Sequence, residues 1–171
     1  MRCRKKGEIT VFLTLMLSVI SAFYISLSSL AQRYVSKSEA AYAVECAVRS
    51  CFAEYNRELF DRYRILLIDS SFRTEEGGLE RVEEHFKMYL ANSVTVNTVC
   101  DALVRVNDDA VPVADKYGIT DEVIGYIREN GSPGFDPLSC YDDLVFTATF
   151  SSPYTGTYSI TRQYSYDPKS M

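Results

Sequence analysis

RKKGEITVFLTLMLSVISAFYISLSSLAQ, residues 4–32, is the stretch on which the reading of this chain turns. From Ile9 to Leu30 it carries no charged residue. That is about 22 residues, roughly 33 Å as a helix, against a hydrocarbon core of about 30 Å. Arg2, Arg4, Lys5 and Lys6 stand immediately before the apolar run. Basic residues on one flank of a span mark the cytoplasmic side, so the spacing predicts an inside N-terminus and an outside remainder.

Three fates compete for this segment. A secretory signal is one, because Ser29-Leu30-Ala31 offers small residues for cleavage before Gln32. Signal cores usually run about 7 to 15 apolar residues, however, and this run is longer. A prepilin leader is the second, cut at Lys6-Gly7. The residue after that glycine is the charged Glu8, and Phe12 stands fifth where such a leader carries glutamate. The third is a retained anchor, and its length and its continuation into helix-favouring sequence make it the reading carried forward. Within the run, Thr10, Thr14, Ser18, Ser21 and Ser28 fall within about 80° of one another on a helical wheel. Such a stripe lets a second membrane helix approach closely. The same hydroxyls can instead bond carbonyls of their own helix.

The whole chain has 171 residues and a formal net charge of -5. With the basic residues concentrated at the start, the body is more acidic still, which argues against a nucleic-acid partner. Glycine and proline are sparse, so the chain is a folded domain of modest core rather than a disordered one. Beyond the anchor, SKSEAAYAVECAVRSCFAEYNRELFDRY repeats apolar residues at helical spacing: Ala41, Val44, Val48, Cys51, Phe52, Tyr55 and Leu59. That stripe is expected to pack against its own domain, with a partner helix as the alternative. The expected organisation is a cytoplasmic basic N-terminus (1–8), a transmembrane helix (9–30), a stalk helix (31–63) and an extracytoplasmic head (64–171). In the head, RILLID (64–69) reads as a short strand and LERVEEHFKMYLAN as a helix with Leu79, Val82, Phe86, Tyr89 and Leu90 inward. Two β-like stretches follow between Ser93 and Val106, then a helix capped by Thr120. LVFTATF and TYSITRQY alternate around SSPYTG as a hairpin. The fold class is therefore α+β.

The chemistry-bearing residues are few. Of five cysteines, Cys46, Cys51, Cys100 and Cys140 would lie outside and are candidates for disulfides, with free buried thiols as the competing reading. Cys46 and Cys51 point about 140° apart on a helix and should not bridge each other. There is one histidine, His85, expected at the surface, and no Cys-x-x-Cys pair, so no metal site or cofactor is expected. Neither a nucleophile elbow nor a phosphate loop is present. Asp108-Asp109 and Asp142-Asp143 are acid pairs in turns. Catalysis is thus not expected. Thirteen tyrosines and no tryptophan are more suggestive: Tyr141, Tyr154, Tyr158, Tyr164 and Tyr166 crowd the end of the chain, where they suit protein contact or half-buried strand packing.

GEITVFLTLMLSVI and, downstream, AEYNRELFDRYRILLID together resemble an uncharacterised group of single-pass proteins of Gram-positive bacteria encoded with Tad-type pilus and secretion components. These are similar in layout to the TadE and TadG minor pseudopilins, which carry an N-terminal membrane helix and an external domain. The matching positions are the Gly-x-Ile-Thr-Val-Phe start, then Ala53, Glu54, Tyr55, Leu59, Tyr63 and Asp69; ADKYGITDEVIGYIREN is a further similar stretch. The resemblance covers the first 130 residues or so in patches and leaves out the tyrosine-rich hairpin. It implies a non-enzymatic component of a Tad-like assembly in the cell membrane. Its partners would be other pilus or secretion proteins, with homo- or hetero-oligomers formed through the membrane helix. No catalytic residues come with it. The alternative is a secreted or tethered surface binding module.

Overall fold

The computed structural model describes residues 4–71, 77–116, 118–131 and 143–165, the side chains at 4–6 and 116 excepted. Its dominant element is one unbroken helix, α1 (Arg4–Ala53), of 50 residues, about 75 Å long. Its two halves have opposite environments. Residues 7–35 are almost wholly exposed, whereas Ser36, Ala40, Ala43, Val44, Ala47, Val48 and Cys51 are buried. Those positions recur every three or four residues and form one stripe, the pattern of a helix with a single core-facing side.

What covers that stripe is a helix and a sheet. The helix is α3 (Leu79–Ser93), which buries Val82, Phe86 and Leu90. The sheet is antiparallel, in the order β1 (Thr98–Val106), β2 (Asp143–Ser152), β3 (Gly156–Ser165). Strand β2 alternates strictly, with Leu144, Phe146, Ala148, Phe150 and Ser152 turned inward. Phe86 meets Phe146 edge-on, ring centroids 5.1 Å apart. Alanines at 40, 43, 47, 102 and 148 are buried in the same cluster and keep the layers close. The residues expected as a stalk are therefore the spine of the head. The apolar stripe packs on its own domain.

The expected helix to Tyr63 ends early. After Ala53 the chain turns, and Asn56 starts a separate helix, α2 (Arg57–Tyr63), its Oδ1 accepting from the N–H groups of Glu58 and Leu59. Asparagine is a strong N-cap because this bond satisfies orphan amides. RILLID is not a ladder strand. It turns back on the break through Asn56 N to Leu67 O (3.1 Å) and Asp69 N to Glu54 O (3.0 Å), with one isolated bridge, Tyr55 to Ile68. Arg64, at φ 57°, makes the reversal. Leu59 and Leu67 then join a second cluster with Val113 of α4 (Val113–Lys116) and Val123 and Ile127 of α5 (Asp121–Asn130). Thr120 precedes α5 as expected, but its side chain makes no capping bond. Of the two β-like stretches before Val106, VTVNTV contributes only Thr98 and Val99 to a strand, which continues through ALVRV with an irregularity between Val99 and Asp101; residues 94–97 are a loop.

Candidate functional site

Between the bare and buried halves of α1 lies a polar collar. Ser36 is fully buried, although it stands only a turn and a half beyond the apolar run. Its Oγ lies 2.8 Å from both Asn97 Oδ1 and Ser152 Oγ. A hydroxyl has one proton, so Ser36 donates to Asn97 and accepts from Ser152. Asn97 Nδ2 donates to Ser36 O (2.9 Å) and to Glu39 (2.6 Å). The Tyr158 hydroxyl lies 2.8 Å from Asn97 Oδ1 and 3.2 Å from Ser36 O, both acceptors. Glu39 in turn accepts from the amides of Thr95 (2.8 Å) and Val96 (3.2 Å) and from the Thr95 hydroxyl.

The collar ties α1 to the α3–β1 loop and to both strands of the hairpin at one level. Burial pushes the Glu39 carboxyl up. The bonds from Thr95, Val96 and Asn97 outweigh that and hold it below its ordinary value of 4.5. A second tie lies further along α1: the Tyr164 hydroxyl donates to Glu45 (2.9 Å), which also pairs with Arg49 (2.9 Å). Tyr164 packs on Phe52 as well, at 5.3 Å. Of the tyrosines read as suited to protein contact or to half-buried strand packing, Tyr158 and Tyr164 are thus of the second kind, half-buried fixtures of the fold. Tyr154, at the tip of the hairpin, is exposed. Tyr141 and Tyr166 lie outside the described residues.

The other sequence-derived candidates are scattered. Thr10, Thr14, Ser18 and Ser21 are on the exposed half of α1 and Ser28 is half-exposed. Thr14, Ser18 and Ser21 donate to the carbonyls of Val11, Leu15 and Leu17 of their own helix, at 2.8–2.9 Å. Their bonding is internal, and what the stripe presents outward is small size. Arg4, Lys5 and Lys6 occupy the start of α1. Arg2, Cys3, Cys140 and Asp142 lie outside the described residues. Cys46, Cys51 and Cys100 are free thiols. Burial, helped by Glu54, pushes the Cys51 thiol up to about 12. His85 is half-buried rather than on the surface, its ring 6.2 Å from that of Tyr89. Asp108 and Asp109 are exposed in a turn. Among the described residues no group of three or more His, Cys, Asp or Glu side chains is placed to hold a metal ion.

Among the described residues one helix is long and apolar enough to cross a membrane, and its apolar window is 0% buried inside the molecule. A core helix of a water-soluble domain and an N-terminal signal sequence pass the same length test; a core helix is mostly covered, whereas this segment, near the N-terminus, is not covered by its own chain. Of the collar residues, Tyr158 stood out in the tyrosine-rich end of the chain, but Ser36, Asn97 and Ser152 were not legible from sequence, because each is an isolated polar residue with no motif around it. No family model, no curated protein and no solved structure matches the chain.

Proposed function

We propose that this chain is a single-pass membrane protein, cytoplasmic at its N-terminus, that serves as a minor-pseudopilin-like, non-enzymatic component of a Tad-type pilus or secretion assembly. One observation carries the reading: the bare apolar half of α1 and the buried spine of the head are the same uninterrupted helix. A side chain such as Phe23, 71% exposed, costs about 1.5–3 kcal/mol to keep in water. The same holds for its neighbours from Ile9 to Leu30, and lipid or neighbouring helices must cover them. Helix runs without a break through Ser29-Leu30-Ala31, whereas signal cleavage needs an extended segment. The joint is stiff, so a force or displacement applied to the head passes directly to the membrane helix. That property suits a part built into an assembly by lateral packing.

The test is purification from native membranes after crosslinking. Recovery of pilus or secretion proteins is expected, and it should fall in the Thr14→Leu/Ser21→Leu double variant, which fills the small-residue stripe. A chain recovered alone, with its membrane insertion intact, overturns the assembly role. The second reading, a secreted or membrane-tethered surface binding module, draws on the outer face of the sheet. There Thr147 and Thr161 (3.2 Å) and Thr149 and Ser159 (2.9 Å) pair hydroxyls across strands in the open. A mature chain beginning at Gln32 would favour it.

A further inference from the structure

We infer that the head rests on the lipid surface: the tip of the β2–β3 hairpin, with the α3–β1 loop, docks on the headgroups of the membrane that α1 spans. The inference rests on the reading of α1 as a span and adds a second, peripheral membrane contact to it.

The geometry follows from the collar. Ser36 lies six residues beyond Leu30, about 9 Å along the helix. The headgroup layer on each side of the hydrocarbon core is roughly 5–7 Å thick. Ser152 and Tyr158 bond Ser36, while Tyr164 bonds Glu45 further out along α1. The hairpin therefore runs alongside α1 with its turn toward the apolar segment. Ser152 pairs with Gly156, and Pro153, Tyr154 and Thr155 project past them. One or two residues of extended chain add about 3–6 Å, which brings the tip from the level of Ser36 into the headgroup layer. The α3–β1 loop is held at nearly the same level by Glu39.

The chemistry of this end suits that position. Exposed there are Tyr34 (76%), Val35 (58%), Val96 (40%) and Tyr154 (39%). Tyrosine with scattered aliphatic side chains is the composition of a membrane–water interface. Residues 31–38 carry two charges, Arg33 and Lys37, both positive and exposed; residues 94–97 and 152–157 carry none. Within residues 31–39, 94–97 and 152–157, all of them described, the one carboxylate is Glu39, and it is engaged by Thr95, Val96 and Asn97. A protein of net charge -5 thus turns a carboxylate-poor, basic and aromatic end toward the bilayer, complementary to anionic headgroups.

The chain has no tryptophan, so single substitutions give clean depth reporters in the full-length protein. Tyr154→Trp reports the hairpin tip and Val96→Trp the neighbouring loop. Tyr24→Trp reports the span, and Val111→Trp the far end of the head. Each is reconstituted into phosphatidylcholine–phosphatidylglycerol vesicles with and without brominated lipid, and titrated with iodide. Tyr24→Trp is expected to be strongly quenched by bromolipid and Val111→Trp by iodide alone. Tyr154→Trp and Val96→Trp should be quenched by bromolipid brominated near the headgroup and shielded from iodide. Vesicles of phosphatidylcholine alone should weaken that lipid quenching, as should Arg33→Gln/Lys37→Gln in the mixed vesicles. If Tyr24→Trp is quenched by lipid while both reporters at the head's base stay as open to iodide as Val111→Trp, the lipid contact is wrong and the span stands. Loss of lipid quenching at Tyr24→Trp itself removes the span and this inference together. Shielding at Tyr154→Trp that appears only in native membranes means that protein covers the tip, and overturns the lipid surface as its partner.

Discussion

Asn97→Ala is the substitution that probes the collar most sharply. Asn97 is 5% exposed, and its amide joins Ser36, Glu39 and Tyr158. Truncation deletes both acceptor and donor at once. The Ser36 and Tyr158 hydroxyls lose their shared acceptor, and the Ser36 carbonyl and Glu39 lose a donor. Tyr158 retains Ser36 O as an alternative, and Glu39 retains Thr95 and Val96, so those losses are partial. A buried polar group left unsatisfied costs about 1–3 kcal/mol, and the small cavity adds to it. The sum is about 2–4 kcal/mol. For a domain of this size that corresponds to a Tm lower by about 5–15 °C. The assay is thermal unfolding of the full-length chain in detergent, followed by near-UV circular dichroism. The control is Asn130→Ala, whose side chain makes one exposed bond to Tyr126 O, with an expected change of about 0.5 kcal/mol or less. A shift at Asn97→Ala no larger than that of the control would refute the claim that the collar fastens helix to head.

Three further outcomes follow from the same structure. Ala47→Leu forces a larger side chain between α1 and the layers that cover it, at a fully buried position, and should destabilise the head by about 1–3 kcal/mol in the same unfolding assay. Glu39 titrates below its ordinary value of 4.5 when folded. Its contribution is therefore complete above the unfolded pKa and is lost as pH falls through the depressed folded one. A Tm profile from pH 6 to 3 should show an acid limb that is shallower in Glu39→Gln. Cys51, buried with its thiol pushed up to about 12, should resist maleimide at pH 8 while the exposed Cys100 is labelled, as read by peptide mass mapping.

Much of the architecture could be read from local patterns. The apolar run, the inward face of α3 apart from the exposed Leu79, and the alternation of β2 rest on periodicity, which a single chain displays without knowing its partners. That the apolar stripe within residues 36–52 packs on its own domain was legible and is what the structure shows; which elements cover it, and that the segment is the spine of the head rather than a stalk below it, was not. A helix that packs on a sheet and a helix that stands free as a stalk carry the same stripe, and only the tertiary fold tells them apart. The break at Glu54–Asn56 left a faint trace, an asparagine two residues before Glu58. Leu59 still continued the helical spacing, and that hid the break. RILLID looked like a strand because its inner four residues are apolar, with β-branched Ile65 and Ile68 at either end of them, yet its role is to close a second cluster with Val113 and Ile127. The collar left least trace of all. Ser36 is separated from Asn97 by 61 residues and from Ser152 by 116, and no short motif joins them.

The account's central claim is that residues 9–30 stay in the bilayer and hold the head on its outer side. Protease treatment of intact cells that carry an epitope after Met171, followed by alkaline extraction of their membranes, tests it most directly. The epitope should vanish while an N-terminal tag survives in the carbonate-resistant pellet. An epitope that persists until the cells are broken, or a full-length chain that leaves the membrane with carbonate, would contradict it.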